Sequence, residues 1–93
     1  MTVTVRIPGP LRAYCDGRSQ LSLEGTATVA AALAALPPGV RDRVLDERGA
    51  VRTHVNVFVG QTDIRETSGL ETPLADGATV FVIPAVSGGR PAR

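Results

Sequence analysis

The chain has no lysine; all ten of its basic residues are arginine. It therefore carries no ε-amine for isopeptide formation, and its only amine is the N-terminus. Compositional bias towards arginine is a sufficient cause, but the chemical consequence holds whatever the cause. A chain whose own C-terminus became activated could not readily acylate its own side chains. Cysteine is nearly absent as well. The single Cys15 excludes an internal disulfide. It sits in the polar stretch Tyr14-Cys15-Asp16-Gly17-Arg18, with Arg12 and Arg18 near but the only histidine, His54, remote in sequence. A nucleophilic thiol needs a base or a cation to hold it as thiolate, and no base is in place here. One Cys and one His cannot close a zinc site, so no metal is expected. His54 falls just inside a strand pattern and reads as a structural or solvated residue.

Aromatic residues make up only 3% of the chain, so a core must come from Val, Leu, Ala and Ile. Long hydrophobic runs are missing too. The longest, Val29 to Leu36, is far short of the roughly 20 residues a membrane span needs. The N-terminus, Met-Thr-Val-Thr-Val-Arg, lacks the basic region and apolar stretch of a signal peptide. A cytoplasmic protein without a membrane partner is the expectation. Nor is there an excess of one charge. Ten basic residues face nine acidic ones, for a net +1, which is no footprint for a nucleic acid.

What is present is patterning. The hydrophobic fraction is 43%, which excludes a disordered chain, and 93 residues suffice for one domain only. Thr2 to Ile7 alternates with Val3, Val5 and Ile7 on one face, the period of a half-buried strand. Pro8-Gly9-Pro10 ends it. A second alternation covers Gln20 to Leu23, and the Gly-, Asp- and Arg-containing segment between the two reads as a hairpin-like connection. Thr26 or Thr28 can cap a helix. Val29, Leu33 and Leu36 then follow at helical spacing among alanines, and Pro37-Pro38 stops the run. Val40, Val44 and Leu45 predict one further helical turn, and Asp46 to Arg52 a loop.

His54 to Val59 predicts a strand with Val55, Val57 and Val59 on one face. Gly60-Gln61 is a tight turn, and Thr62 to Arg65 a short return strand through Ile64. Glu66 to Ala75 is irregular, and Asp76-Gly77 is a turn. Ala78 to Pro84 is the last strand, whose near-continuous apolar run Val80-Phe81-Val82-Ile83 suits the middle of a sheet. Strand, strand, helix, strand, short strand, strand describes an α+β chain of the β-grasp (ubiquitin-like) kind. The expectation is a mixed sheet of four to five strands, one main helix and a flexible C-terminal tail. The final strand should lie parallel to the first at the centre. The domain is expected to span 1–84 and the tail 85–93.

The tail runs from the last strand into five small residues, Ala85 to Gly89. Extended, they reach about 16–18 Å. Val86, Ser87 and Gly88 can thread a narrow channel, and Gly88-Gly89 lets the backbone approach another active site closely. The useful functional group there would be a terminal carboxylate on Gly89. A Gly-Gly pair is weak by itself; its place five residues beyond a last strand that follows Asp76-Gly77 and ends at Pro84 gives it meaning.

Leu74 to Gly89, LADGATVFVIPAVSGG, resembles the C-terminal signature of the ThiS/MoaD family of ubiquitin-like sulfur carriers. Val55 to Gly77 and Thr2 to Arg12 are similar to the carriers of the CysO type, which serve cysteine biosynthesis. The resemblance implies a β-grasp fold, an E1-like adenylyltransferase/sulfurtransferase as partner and a thiocarboxylate on Gly89. It implies no bound cofactor and no metal on the carrier; ATP and a sulfur source are used by partner enzymes. A sulfur-accepting synthase would complete the set of partners.

One departure stands out. Family members typically end at the second glycine, whereas this chain continues as Arg90-Pro91-Ala92-Arg93. With Gly89 in a peptide bond no carboxylate is available. The resemblance implies a precursor cut between Gly89 and Arg90 by a JAMM-type metalloprotease. The competing readings are an added scar or an inactive paralogue. Removing residues 90–93 leaves eight arginines against nine acidic residues, a net −1.

A carrier must be held while its tail reacts. If Val80 and Val82 face the helix, Phe81 and Ile83 point the other way and could form a docking patch with Phe58. Strand parity alone leaves open whether Phe58 and Phe81 are core instead. Arg65, Glu66 and Asp76 read as surface or turn residues. No catalytic residue is expected on this chain. Besides a carrier for cysteine or a thiolated natural product, the sequence admits three alternatives. These are a molybdopterin synthase small subunit, a ubiquitin-like modifier of lysines and a non-covalent β-grasp adaptor.

Overall fold

A computed structural model describes residues 1–84. The strands are β1 (Thr2–Arg6), β2 (Gln20–Glu24), β3 (Val55–Val59), β4 (Thr62–Asp63) and β5 (Thr79–Pro84); the helices are α1 (Val29–Ala34) and α2 (Pro38–Val44). The sheet order is β2-β1-β5-β3-β4. β5 runs parallel to β1 and antiparallel to β3, so the last strand lies at the centre, as its apolar run predicts. This is the β-grasp arrangement, with the helices on one face of a mixed sheet.

Alternation decides which side chains the helices cover. Val3 and Val5 of β1, and Val80 of β5, are fully buried, and so are Val29, Ala32 and Leu33 of α1 and Val40 and Val44 of α2. The core is thus almost wholly aliphatic, as the scarcity of aromatics requires. Small alanines let α1 lie close on the sheet. Thr28 is the N-cap: its Oγ1 accepts a hydrogen bond from the Ala31 N–H at 3.2 Å.

Three expectations need correction. The main helix is shorter than its spacing suggests, and the further helical turn expected at Val40 to Leu45 is a helix in its own right, α2. α1 stops at Ala34, and Leu36 lies beyond it although it is buried; Pro38 then opens α2 rather than merely ending α1, since proline suits the first helical turn. The connection between β1 and β2 is not a plain hairpin. A 3₁₀ helix, Gly9–Cys15, fills it, started by proline and ended by Asp16 at φ 59° and Gly17 at φ 76°. It packs on α2 through Tyr14, whose ring lies 3.8 Å from the Arg43 guanidinium. Gly39 makes room, because a Cβ there would stand 2.9 Å from Tyr14 Cβ. Finally, the return strand ends at Asp63, not Arg65. The Asp63 side chain accepts the Arg65 N–H at 2.9 Å and turns the chain into a 3₁₀ helix, Ile64–Glu66, which buries Ile64.

The segment after it is strapped to the start of α1. Val29 N–H donates to the Thr72 carbonyl at 3.0 Å, and Leu74 N–H to the Ala27 carbonyl at 2.8 Å. Asp76 accepts the Thr2 N–H at 2.8 Å, and Gly77 N–H donates to the Thr2 carbonyl at 2.7 Å. These bonds place β5 in register beside β1. No helix among the described residues is long and apolar enough to cross a membrane.

Candidate functional site

The central strand β5 ends at Pro84, the last of the described residues. Val86, Ser87, Gly88, Gly89 and Arg90, the residues expected to thread, to be activated and to be cleaved, lie outside the described residues. What the fold contributes is the place of departure and the surfaces around it.

On the face opposite the helices, Phe81 of β5 stands directly opposite Phe58 of β3, and Ile83 is two residues further along β5. The two phenylalanines are half-buried and Ile83 is 47% exposed, while Val80 and Val82 on the other face are buried. The alternative left open by parity is thereby decided: Phe58 and Phe81 belong to the open face and not to the aliphatic core. Cross-strand neighbours this close cover one another, which is why neither ring is fully exposed.

Polar groups frame the patch. Arg6 of β1 is in register with Phe81 on one side, and Asp63 of β4 with Phe58 on the other. The Arg65 guanidinium donates to the Asp63 carboxylate at 2.6 Å and to Asn56 Oδ1 at 2.9 Å. That side-chain bond, with the Arg65 N–H, holds the Asp63 carboxyl below the usual carboxylate range and raises Arg65. Sequence reasoning placed Arg65 on the surface but missed this frame. Strand parity could not have found it alone, because Arg6, Phe81, Phe58 and Asp63 are grouped by strand register and not by any local period.

Pro84 lies between two surface grooves. One includes Arg6, Ile7, Arg12, Phe81 and Ile83. The other includes Leu11, Asp42, Arg43, Arg52, His54 and Val82. His54 is exposed at the head of β3, in agreement with a solvated role. Cys15 is buried, 6% exposed, and its thiol donates to the carbonyls of Arg12 at 3.6 Å and Arg18 at 3.5 Å. A thiol so enclosed serves as a small core residue. Among the described residues no group of three His, Cys, Asp or Glu side chains comes together to hold a metal.

A sequence profile of the ThiS family matches residues 5–89. The chain is 38% identical to the sulfur carrier protein CysO of Mycobacterium tuberculosis, over 96% of this chain and the whole of that protein. The crystal structure of Mycobacterium tuberculosis CysO superposes with a TM-score of 0.80 at 36% identity, covering 90% of this chain and 99% of that one. A chain of the Amycolatopsis orientalis BexX/CysO complex superposes with a TM-score of 0.84 at 34% identity, covering 94% of this chain and 99% of that one.

Proposed function

Because the chain belongs to the ThiS family, we propose that it is a sulfur carrier protein whose working group is the Gly89 carboxylate, exposed once residues 90–93 are removed. The observation that carries this reading is the extent of the family match, which ends at Gly89, four residues before Arg93. The fold supports it: β5 is clamped between β1 and β3, so a pull on the tail is resisted by the whole sheet.

The chemistry runs in three steps. Hydrolysis of the Gly89–Arg90 peptide bond consumes one water and leaves the Gly89 carboxylate and a free Arg90 amine; a JAMM-type metalloprotease is the partner of that class. An E1-like adenylyltransferase/sulfurtransferase then supplies ATP. A carboxylate oxygen attacks the α-phosphorus, pyrophosphate leaves, and an acyl-adenylate remains. A sulfide-level sulfur nucleophile attacks the acyl carbon and AMP leaves, which yields the thiocarboxylate. Transfer follows: the thiocarboxylate sulfur bonds to an electrophilic carbon of the acceptor held by a sulfur-accepting synthase and displaces its leaving group, and one water then hydrolyses the acyl link, which restores the Gly89 carboxylate and releases cysteine or a thiolated natural product.

The chain is a protein-bound sulfur donor and not an enzyme, as its relative's description as a carrier supports. It needs no bound cofactor or metal; ATP and the sulfur source belong to its partners. Val86, Ser87 and Gly88 pass through the partner's channel, while Phe58, Phe81 and Ile83 dock the folded part, residues 1–84. A relative that crystallises as part of a BexX/CysO complex supports work by partnership. All of these reactions belong in the cytoplasm.

Intact mass spectrometry of the protein isolated from its native cell tests this reading. A species ending at Gly89 is expected, accompanied by one heavier by about one oxygen-to-sulfur exchange. A population that always keeps Arg90 to Arg93, even under sulfur demand, overturns it.

A further inference from the structure

Residues 1–84 hold eight arginines and nine acidic residues, yet the charge is unevenly placed. The two grooves that meet at Pro84 are lined by four arginines, Arg6, Arg12, Arg43 and Arg52, against one aspartate, Asp42. That aspartate lies 3.7 Å from Arg41. Glu24 and Asp76 are spent at the far end of the sheet, on the first two residues of the chain.

Three of the four guanidiniums are fixed without a carboxylate. Arg12 Nε donates to the Ile7 carbonyl at 3.0 Å, and Arg52 Nε to the Asp42 carbonyl at 2.9 Å. Arg43 stacks on Tyr14 and its Nη1 donates to the Gly39 carbonyl at 3.4 Å. Among the described residues none of the three forms an ion pair. Backbone carbonyls therefore aim these side chains; Arg52 shares its field with the nearby Asp46 carboxylate, whereas Arg12, bonded through Nε alone, leaves its Nη fork for a bidentate carboxylate.

We propose that this arginine collar at the root of the tail docks onto a carboxylate-rich rim around the channel mouth of the partner protein that receives the tail. The proposal rests on the carrier reading, since only a threaded tail brings a rim against its root. A protein rim fits better than a phosphate. The arginines are divided between two grooves that share Val82 and Pro84, with Arg6 and Arg12 in one and Arg43 and Arg52 in the other, and do not line a single pocket. A nucleic acid is disfavoured by eight carboxylates elsewhere on so small a surface, with Asp42 in the grooves as well. Such charge pairs steer encounter and set its salt dependence, and prior fixing lowers the cost of ordering the arginines.

Two measurements test the collar. In the first, the isotope-labelled full chain is titrated with a hexaglutamate peptide at low ionic strength. Resonance shifts are expected at Arg12, Arg43, Arg52 and His54, with none at Glu24 and Asp76. Shifts spread evenly over the surface, no shifts, or tighter binding of tripolyphosphate or an oligothymidylate at the same residues overturn the proposal. In the second, the chain ending at Gly89 is adenylated by the E1-like enzyme of the same genome. Arg6→Glu and Arg43→Glu should each raise KM by roughly tenfold or more at low salt, with kcat little changed, and the difference should shrink at high salt. Arg48→Glu, in the loop after α2, should leave KM unaltered. Adenylation with unaltered KM in Arg6→Glu and Arg43→Glu sinks the collar and leaves the carrier reading standing. Failure of the wild-type chain to be adenylated sinks the carrier reading, and the glutamate titration then decides the collar alone.

Discussion

Leu33 and Ile83 are aliphatic residues of similar size with opposite duties. Leu33 is fully buried between α1 and the sheet, whereas Ile83 is 47% exposed on the open face. Truncating Leu33 to alanine removes methyl groups from a close-packed core and leaves a cavity, at a cost of about 2–5 kcal/mol. Ile83→Ala empties nothing and should change stability by about 0.5 kcal/mol or less. Its effect should fall on partner engagement instead, as a higher KM for adenylation. Urea denaturation of both variants, with adenylation kinetics for Ile83→Ala, checks the pair. Equal destabilisation would refute the assignment of Ile83 to a docking face. Much of the core was legible from sequence, because Val3, Val5, Val29 and Leu33 follow strand or helix periods without interruption; the inward facing of Val80 and Val82 was not, since their strand is apolar throughout. The facing pair Phe58 and Phe81 was not, because parity assigns a face only once it is known which face the helices cover.

At the scale of elements, two carboxylates organise the turns. Asp46 accepts N–H bonds from Ala50 at 3.0 Å and Arg48 at 2.8 Å, closing the loop after α2. These bonds, the one from Ala50 first, lower its pKa from the ordinary carboxylate value. Asp63 is lowered by the Arg65 side chain and then by the Arg65 N–H, where β4 turns into the following 3₁₀ helix. A depressed carboxyl binds its proton less readily in the folded chain than in the unfolded one. Its contribution to stability is complete above the unfolded value and is lost as pH falls through the folded one. Stability should therefore stay level from neutrality to about pH 5 and then decline. The double variant Asp46→Asn, Asp63→Asn should show a shallower acid limb in denaturant midpoints measured against pH. An acid limb identical to wild type would exclude these two groups. The aspartate at 63 also explains why the predicted strand through Arg65 stops early: local capping outcompetes a two-strand ladder at the sheet edge.

For the whole molecule, the decisive feature is the central position of the last strand. Among the described residues every buried hydrophobic residue falls from Val3 to Val82, and β5 supplies Val80 and Val82 while pairing with both β1 and β3. A chain ending at Pro84 should keep its melting temperature to within a few degrees. A chain ending at Val80 should lose cooperative unfolding, because the sheet is then split and β1 and β3 are left with unpaired edges. Circular dichroism melts of the two truncations make the comparison. A cooperative melt for the shorter chain would show that β5 is dispensable, contrary to this architecture. The same centrality suits a carrier, whose active end must be free while its root is immovable.

The sequence by itself determined the element order, the aliphatic composition of the core, the lysine-free surface and the Gly88-Gly89 tail with its four-residue extension. These are properties of spacing and chemistry along one chain, readable without knowing what lies opposite. Only the tertiary structure decided which strand faces meet solvent, that Arg6 and Asp63 frame Phe81 and Phe58, and that Arg6, Arg12, Arg43 and Arg52 gather around Pro84. Those arginines come from β1, the following 3₁₀ helix, α2 and the segment before β3. Residues so far apart in sequence become neighbours only through strand pairing and helix packing, which no local period encodes.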